Sequence, residues 1–343
     1  MRIAVISGSR ADYCINKWIL KELNKYNKID YISIEIQGAN KYEVDDNINH
    51  RTIDIEGNNI FEYSSYLMLE LGLLFQDDFD AVIVLGDRWE ILQVCIAATY
   101  HNIPVIHLGG GEVSKGSYDN DFRDCISRLS SYHFVVTENC KKNLNKIGIT
   151  DNIYVAGSPR MDYKYSVEVD KDILTKYGLD KTKKTAIVIY HPETKDMKNI
   201  KKHAKIFFRE LSKIDLQYII ISPNFDIESQ SIVSEIQRFK KEGVYKSHCL
   251  PLDEYLSAMS CVDLMIGNSS AGIMETPTFR IPFVNVGNRQ EGRERSGNVI
   301  DCGYHNIKES IDIALRHRRK LKYKEFGDGR ASERIVEIIR SEL

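Results

Sequence analysis

The apolar positions of the chain fall into short β-branched runs that alternate with longer stretches of helical spacing. In the first half this pattern predicts six strands, with helices between them that include residues 59–75 and 88–101. The predicted strands cover residues 2–7, 31–37, 81–85, 104–108, 133–137 and 153–156. Regular alternation of strand and helix is typical of a mostly parallel, doubly wound sheet.

The same alternation restarts after a polar stretch at residues 163–184, which we interpret as a domain boundary. Two units of this size fit the usual length of a domain. We therefore expect an α/β protein with two Rossmann-like, doubly wound domains at residues 1–165 and 166–325. The second set of predicted strands covers residues 185–190, 217–222, 263–266 and 282–285, and helices at 305–323 and 328–343 close the chain.

The net charge and the spacing of the cysteines limit the classes of partner and the cellular compartment that we expect. A formal net charge of -2 does not favour nucleic acid or an anionic membrane as a partner. No apolar run approaches the roughly 20 residues that span a bilayer, and the N-terminus lacks the apolar segment of a signal peptide. The seven cysteines are scattered without CxxC spacing, which favours reduced thiols. We expect a cytoplasmic protein that binds neither nucleic acid nor membrane.

The motifs do not favour a metal or a cofactor. No set of His, Cys and carboxylate residues has metal-ligand spacing. The turn after the first strand, GSRAD, lacks a complete GxGxxG, so a nicotinamide cofactor is poorly supported. We expect no cofactor and no catalytic metal.

Polar motifs follow the predicted strands in both domains, where sheets of this kind bind ligands. They read GSRAD, GDRWE and HLGGGE in the first domain, and YHPET, SPN and GNSSAG in the second. Because we expect the carboxyl ends of both sheets to face one cleft, we expect these six loops to line it.

Residues 267–293, GNSSAGIMETPTFRIPFVNVGNRQEGR, predict a site for a nucleotide diphosphate. Ser269 and Ser270 precede a predicted helix, where hydroxyls and backbone N–H groups bind anions. Glu275 is suited to grip two ribose hydroxyls, and Arg289 and Arg293 offer guanidinium groups for phosphate. Each residue alone fits an ordinary capped helix with surface arginines, but the whole set favours a ligand site.

Three further residues are candidates for contact with the same ligand. Arg10 lies in the glycine-containing turn after the first strand and is suited to bind a phosphate in bidentate fashion. Asn224 of the SPN motif is a candidate for substrate binding. His191 precedes Pro192 at the end of a strand, where an imidazole would protonate or stabilise a departing phosphate group.

Three carboxylates in the first domain are candidates for acid–base chemistry. Asp87 and Arg88 follow one predicted strand, and Glu112 and Asp119 flank a glycine-containing loop after the next. Carboxylates held close together repel, so their pKa values separate and acid and base roles can divide. Arg88 would pair with Asp87 or with a phosphate. The structural alternative is that Asp87 and Asp119 only cap helices.

Taken together, these motifs resemble the hydrolysing UDP-N-acetylglucosamine 2-epimerases of nonulosonic (sialic or legionaminic) acid biosynthesis. The resemblance implies a glycosyltransferase-B-like fold, a segment 326–343 that packs back toward the N-terminal domain, and a homodimer or homotetramer. The motifs that carry it are GSRADY (8–13), LGDRWE (85–90), GGEV and GSYD (within 110–119), AGSPRMD (156–162), HPET (191–194), GNSSAGIMETPTFRIP (267–282), VGNRQEGR (286–293) and FGDGRASERIVEII (326–339).

The resemblance also implies a reaction on a UDP-sugar substrate. UDP would leave UDP-N-acetylglucosamine by elimination across C1–C2, and hydration of the resulting glycal would give free N-acetylmannosamine. Asp87, Glu112 and Asp119 would handle the C2 proton and the water. The residues implied to stabilise the leaving diphosphate are Arg10, Arg88, His191, Ser269, Ser270 and Arg289.

Two departures from the family pattern leave the substrate open. QGANKY, residues 37–42, stands where members commonly have a TGxH-type loop, and Gly109 stands where some members have a glutamate. One alternative is therefore the same chemistry on UDP-N,N'-diacetylbacillosamine. Another is a nucleotide-sugar-binding protein without catalysis, and a retaining glycosyltransferase fits the acid set less well.

Overall fold

The computed structural model describes residues 1–26, 28–36, 44, 47–165, 168–223 and 229–343, without the side chains of Arg10, Lys164, Tyr165 and Arg319. Its strands form two sheets. Seven strands make the first: β1 Arg2–Ser7, β2 Lys28–Ile36, β3 Asn49–Ile55, β4 Ala81–Leu85, β5 Val105–Leu108, β6 Tyr132–Val135 and β7 Ile153–Val155. Six make the second: β8 Thr185–Ile189, β9 Gln217–Ile221, β10 Val244–Ser247, β11 Leu264–Gly267, β12 Phe283–Val286 and β13 Val299–Cys302.

Every strand pairing in the two sheets is parallel. The strand orders are β3-β2-β1-β4-β5-β6-β7 and β10-β9-β8-β11-β12-β13. In each sheet the order reverses direction once, between β1 and β4 and between β8 and β11. Ligands bind at the carboxyl ends of strands beside such a switch point, so the loops after these four strands are the place to look for a site.

Helices lie between most pairs of successive strands. The helices are α1 Arg10–Leu23, α2 Ile60–Leu74, α3 Trp89–Tyr100, α4 Asp119–Leu129, α5 Glu138–Lys146, α6 Ile173–Lys176, α7 Ile200–Ser212, α8 Ser229–Arg238, α9 Leu252–Cys261, α10 Ala271–Met274, α11 Ile307–His317 and α12 Ala331–Glu342. Short 3-10 helices lie at Pro159–Tyr165, Thr194–Asn199 and Arg318–Lys320. None of the helices in these described ranges is long and apolar enough to cross a membrane.

The predicted fold class, two parallel α/β sheets, is confirmed, and three strands that the pattern did not predict complete the sheets. These are β3, β10 and β13, which lie at sheet edges. Their side chains are largely exposed or half-buried. Edge strands bury little apolar surface, so their sequences carry no continuous apolar run. The polar stretch at 163–184, expected to be a linker, also contains α6.

The chain divides into two compact units. The first comprises Met1–Glu112, Asp119–Tyr165 and Phe326–Leu343, and the second comprises Val113–Tyr118 and Ser166–Glu325. In the first unit α12 packs against α1 and the sheet through buried Ile335, Val336 and Ile339. In the second unit one large core joins both α7 and α11 to the central strands.

Asp162, the last residue of the AGSPRMD motif, caps α12. Its Oδ1 accepts a hydrogen bond from Ala331 N at 3.0 Å, and its Oδ2 accepts one from Ser332 N at 2.7 Å. All three residues are buried. The carboxylate therefore satisfies two of the N–H groups that have no partner within the helix. This contact across the sequence fixes the start of the C-terminal helix on the first unit.

We expect Asp162→Ala to destabilise α12 by about 1–2 kcal/mol, since it leaves two buried donors without an acceptor. Asp162→Asn keeps one acceptor oxygen and should lose less. Hydrogen–deuterium exchange of residues 331–342 measures the effect, with the exposed Asp151→Ala variant as control. Equal exchange in Asp162→Ala and the control would contradict the capping role.

Candidate active site

The turn after β1 brings the first candidate groups together. Ser9 is the N-cap of α1, and its Oγ accepts a hydrogen bond from Asp12 N at 3.3 Å. A Cβ at Gly8 would lie 3.4 Å from Arg88 Nε and 3.5 Å from Glu90 Cβ. Both distances are ordinary van der Waals contacts. The loop after β4 thus lies beside the turn after β1.

Arg88 forms a bidentate ion pair with Glu90. Its Nη2 lies 2.8 Å from Glu90 Oε1, and its Nε lies 3.2 Å from Oε2. Glu90 is buried, and the Arg88 side chain is 16% exposed. Asp87 itself pairs with Arg123, and the pairing of Arg88 with Asp87 that the sequence suggested stays a prediction. A contact between Arg88 and phosphate stays a prediction.

Arg123 of α4 is the centre of the candidate acid cluster. Its side chain is 1% exposed; Nη2 pairs with Asp87, and Nη1 donates to the carbonyl oxygen of Glu112 at 2.9 Å. Although burial lowers the pKa of Arg123, the carboxylates of Asp87, Glu112 and Asp119 raise it above its ordinary value. One predicted acid, Asp87, therefore pairs with the buried guanidinium, and the charges of all three predicted acids raise its pKa.

Sequence reasoning did not single out Arg123. A signal for it exists, because Arg123, Ile126 and Ser127 share helical spacing and are the buried residues of α4. A charged residue on the buried face of an amphipathic helix needs a buried partner. The partners of Arg123 come from two polar motifs: Asp87 from GDRWE and the carbonyl oxygen of Glu112 from HLGGGE.

His107 supports the same cluster as a neutral, buried residue. Burial lowers its pKa to about 3. Its Nδ1 lies 3.0 Å from Ser127 Oγ, and its Nε2 lies 2.9 Å from the carbonyl oxygen of Gly86. A neutral imidazole that donates to Gly86 holds the residue before Asp87 in place. His107 therefore orients the loop.

The glycines before Glu112 fix the path of its loop. Gly111 has a φ of +74°, and a Cβ there would lie 2.2 Å from the carbonyl oxygen of Cys140. Only glycine fits this approach. Gly109 also has a positive φ, +84°, but a Cβ there would meet nothing within 4 Å. The position where some family members have a glutamate is therefore open.

In the second unit Asn268 links three of the predicted motifs. Its Oδ1 accepts a hydrogen bond from His191 N at 2.7 Å, and its Nδ2 donates to His191 O at 2.9 Å. Gln290 Nε2 donates to the carbonyl oxygen of Asn268 at 2.9 Å. Asn268 and Gln290 are buried. The YHPET, GNSSAG and VGNRQEGR segments thus meet at one residue.

The helix expected after Ser269 and Ser270 is only one turn long, from Ala271 to Met274. Ser270 is its N-cap without a side-chain capping bond, and Ser269 Oγ accepts from Ala271 N at 3.3 Å. So short a helix contributes little dipole. The anion site at this helix start stays a prediction, with hydroxyl and backbone N–H groups as its candidate phosphate ligands.

The other predicted nucleotide ligands lie in the same unit. Glu275 is 4% exposed, and its Oε2 accepts a hydrogen bond from Tyr255 OH at 2.7 Å. Arg293 is 8% exposed, and Arg289 is half-buried. Tyr255 holds the Glu275 carboxylate in one orientation. The roles of these residues in ribose and phosphate binding stay predictions.

Three predicted features lie outside the described part of the chain: the side chain of Arg10, Asn224, and the QGANKY segment at 37–42. Among the residues that are described, no group of His, Cys, Asp and Glu is placed to hold a metal ion.

Asp12, in the first turn of α1, is a carboxyl that the motifs did not single out. Burial raises its pKa to about 6; Arg88 and Ser9 oppose this rise, and Glu90 and Asp87 add to it. Within the described residues its Oδ2 has no hydrogen-bond partner. Asp12 thus places a group that titrates near neutral pH beside the Arg88–Glu90 pair.

We expect Asp12→Asn to stabilise the protein above pH 6. The raised pKa means that the folded state holds this proton more tightly than the unfolded state, so the wild type loses stability as the pH rises from about 4 through 6. The gain in Tm of the variant should therefore be larger at pH 8 than at pH 4.5.

Asp328→Asn is the matched control for this measurement. Arg334 lowers the pKa of Asp328 to about 2, so Asp328 is ionised at both pH values and its replacement should change Tm equally at each. A Tm difference for Asp12→Asn that is also equal at pH 4.5 and 8 would contradict the raised pKa.

The family model for UDP-N-acetylglucosamine 2-epimerase matches residues 43–340 of this chain. The UDP-N,N'-diacetylbacillosamine 2-epimerase (hydrolyzing) of Legionella pneumophila is 34% identical, and the alignment covers 99% of this chain and 96% of the relative. The UDP-N-acetylglucosamine 2-epimerase of Neisseria meningitidis serogroup B is 30% identical over 76% of this chain and 71% of its own.

The fold has solved counterparts. The UDP-GlcNAc 2-epimerase of Methanocaldococcus jannaschii, crystallised with UDP-GlcNAc and UDP, superposes with a TM-score of 0.83 at 21% identity and covers 99% of this chain and 100% of its own. At this identity the likeness shows the two-sheet fold, which is of the glycosyltransferase-B type. Together, the motifs, the fold and the family match show that the chain belongs to the UDP-N-acetylglucosamine 2-epimerase family of enzymes.

Proposed function

We propose that this protein is a hydrolysing UDP-sugar 2-epimerase that releases UDP and the free 2-epimer of its sugar. The observation that carries the proposal is the buried guanidinium of Arg123, which pairs with Asp87 and donates to the carbonyl oxygen of Glu112. The charges of Asp87, Glu112 and Asp119 all raise its pKa. Removing a proton from C2 and adding water to a glycal both need carboxyl groups held close to one carbon.

In this mechanism the first unit carries the chemistry at C1 and C2. One carboxylate takes the C2 proton as the C1–oxygen bond to UDP breaks, which gives a 2-acetamidoglycal. A second carboxyl group then directs water to C1 and returns a proton to C2 from the opposite face. The ion pair of Asp87 with Arg123 fixes the direction of one acid, and the other two act on the remaining steps.

The second unit is proposed to hold the departing diphosphate. His191, Ser269, Ser270 and Arg289 stabilise the charge that develops on the leaving oxygen. Arg10, Arg88, Arg293 and Asn224 complete the set of substrate ligands, and Glu275 binds the ribose. The link that Asn268 makes between His191 and the loop of Gln290 supports a shared role for these segments.

Two UDP-sugars are candidate substrates. The motifs put UDP-N-acetylglucosamine first, with N-acetylmannosamine as product for nonulosonic acid biosynthesis. The Legionella relative, which aligns along nearly the whole chain, is named for UDP-N,N'-diacetylbacillosamine, as in a legionaminic acid pathway. Because that match is longer and more similar than the Neisseria match, we propose the diacetamido sugar as the substrate to test first.

The experiment is incubation with both UDP-sugars while NMR follows UDP release and sugar stereochemistry. Release of a free manno-configured sugar from either substrate supports the proposal and names the substrate. Formation of a glycoside would identify a glycosyltransferase, and UDP binding without turnover would identify a binding protein.

The expected homodimer or homotetramer has a candidate surface on α2. Phe61, Leu69 and Leu73 are 80%, 71% and 61% exposed. Leu69 and Leu73 are four residues apart and lie on one face of the helix. We propose that copies of the chain meet on this face and that the protein is cytoplasmic.

We expect Asp119→Asn to lower kcat by about two orders of magnitude or more, while the affinity for UDP changes by no more than a few fold. Asn keeps the size of the side chain but takes no proton. Asp124→Asn, on the same helix, is the control. Wild-type kcat in Asp119→Asn would assign Asp119 a structural role at the start of α4.

We expect Arg289→Ala to weaken UDP binding more than Arg289→Lys, and neither variant to reach wild-type affinity. An ammonium group supplies charge but not the two parallel hydrogen bonds of a guanidinium. Calorimetric titration with UDP measures both constants. Unchanged affinity in Arg289→Ala would remove this residue from the nucleotide site.

A further inference from the structure

Tyr190 and Glu193 lie on either side of His191 in the YHPET motif, and neither takes part in the proposed mechanism. Both side chains are buried. A buried carboxylate needs hydrogen-bond partners to offset its lost contact with water. The partners of Glu193 therefore indicate what this part of the motif does.

Glu193 accepts a hydrogen bond from Tyr304, which follows β13. The Tyr304 hydroxyl donates to Glu193 Oε1 and lies 2.8 Å from the Tyr190 hydroxyl. Burial raises the pKa of both tyrosines, so each hydroxyl keeps its proton. Because a tyrosine hydroxyl has only one proton to donate, Tyr190 must donate to Tyr304. The three residues form one directed series of hydrogen bonds, which we call the Tyr–Tyr–Glu chain.

Packing against α7 holds both tyrosine rings of the Tyr–Tyr–Glu chain. The Tyr190 ring stacks on Phe207 with 4.5 Å between the ring centroids, and the Tyr304 ring stacks on His203 with 4.2 Å between them. Phe207 is fully buried. Since packing fixes the rings, it also fixes the hydroxyl oxygens that direct the Glu193 carboxylate.

The Glu193 carboxylate packs on the backbone at the start of the loop after β12. Gly287, the first residue of that loop, has a φ of +84°. A Cβ at Gly287 would overlap Glu193 Oε1 and would lie 2.8 Å from the Tyr304 hydroxyl oxygen. Only glycine permits this approach. Two residues further along the same loop is Arg289.

The Tyr–Tyr–Glu chain thus connects two segments that are proposed to bind the diphosphate. One segment contains His191, and the other contains Arg289 and Gln290. Asn268 connects the same two segments through the backbone of His191 and the side chain of Gln290. The chain is a second, independent connection, and all of its residues belong to the second unit.

We propose that Glu193 and Tyr304 are positioning residues of the diphosphate site. Through the Tyr–Tyr–Glu chain they hold His191 and the loop of Arg289 in the arrangement that binds the leaving group. This inference rests on the proposed function. It gives a role to the two residues that flank His191, and the ligand that they serve is a nucleoside diphosphate.

The first test replaces Tyr304 by Phe, which keeps the ring on His203 but removes the hydroxyl. We expect the Kd for UDP, measured by calorimetric titration, to rise about tenfold, which corresponds to about 1.4 kcal/mol. Glu193→Ala should raise the Kd by a similar factor. Glu193→Gln keeps an acceptor oxygen for Tyr304, so its Kd should stay within about threefold of the wild-type value.

Tyr218→Phe is the matched control. Tyr218 is a fully buried tyrosine of the same unit, and its hydroxyl donates to the carbonyl oxygen of Leu211 at 2.9 Å. Both Tyr→Phe variants remove a hydrogen bond and should lower Tm, but only Tyr304→Phe should weaken UDP binding. An unchanged Kd in Tyr304→Phe, or an equal rise in Tyr218→Phe, would overturn the positioning role.

Turnover of the two UDP-sugars separates this inference from the proposed function. If Tyr304→Phe weakens UDP binding but the wild type turns over neither UDP-sugar, the proposed function fails and the positioning role stands. If the wild type turns over a UDP-sugar and Tyr304→Phe binds UDP as tightly as the wild type, the positioning role is overturned and the proposed function stands. If the wild type does not bind UDP, both fail.

Discussion

The buried guanidinium of Arg123 is the constraint on which the candidate chemistry depends. A buried charge without partners costs several kcal/mol, so folding of the first unit requires that carboxylate and carbonyl groups reach it. The loop after β4 supplies Asp87, and the loop after β5 supplies the carbonyl oxygen of Glu112. Satisfying one charge therefore brings together acids from two separate loops. The same requirement that stabilises the fold also assembles the cluster.

In the second unit, buried backbone groups are bound by neutral amide side chains. The side-chain amide of Asn268 accepts from the N–H of His191 and donates to its carbonyl oxygen. The side-chain amide of Gln290 donates to the carbonyl oxygen of Asn268. Buried backbone groups are satisfied without any charge. In the proposed function the acids belong to the first unit and the phosphate ligands belong to the second.

Much of the fold was predictable because central parallel strands are apolar on both faces. Ten strands were placed from their β-branched runs, whereas edge strands such as β3 bury too little surface to leave that signal. The charges of the predicted acids Asp87, Glu112 and Asp119 all act on the pKa of one residue, Arg123. Arg123 and Asp12 were not predicted because their significance lies in contacts between loops far apart in sequence. The length of α10 was overestimated, because capping residues mark where a helix starts but not where it ends.

Contacts between loops of one unit that are far apart in sequence show most clearly what local sequence cannot encode. A glycine such as Gly116 reads as a loop residue, yet the carbonyl oxygen of Asn288 occupies the space of its missing side chain. The partner is more than 170 residues away, so no local pattern reports the contact.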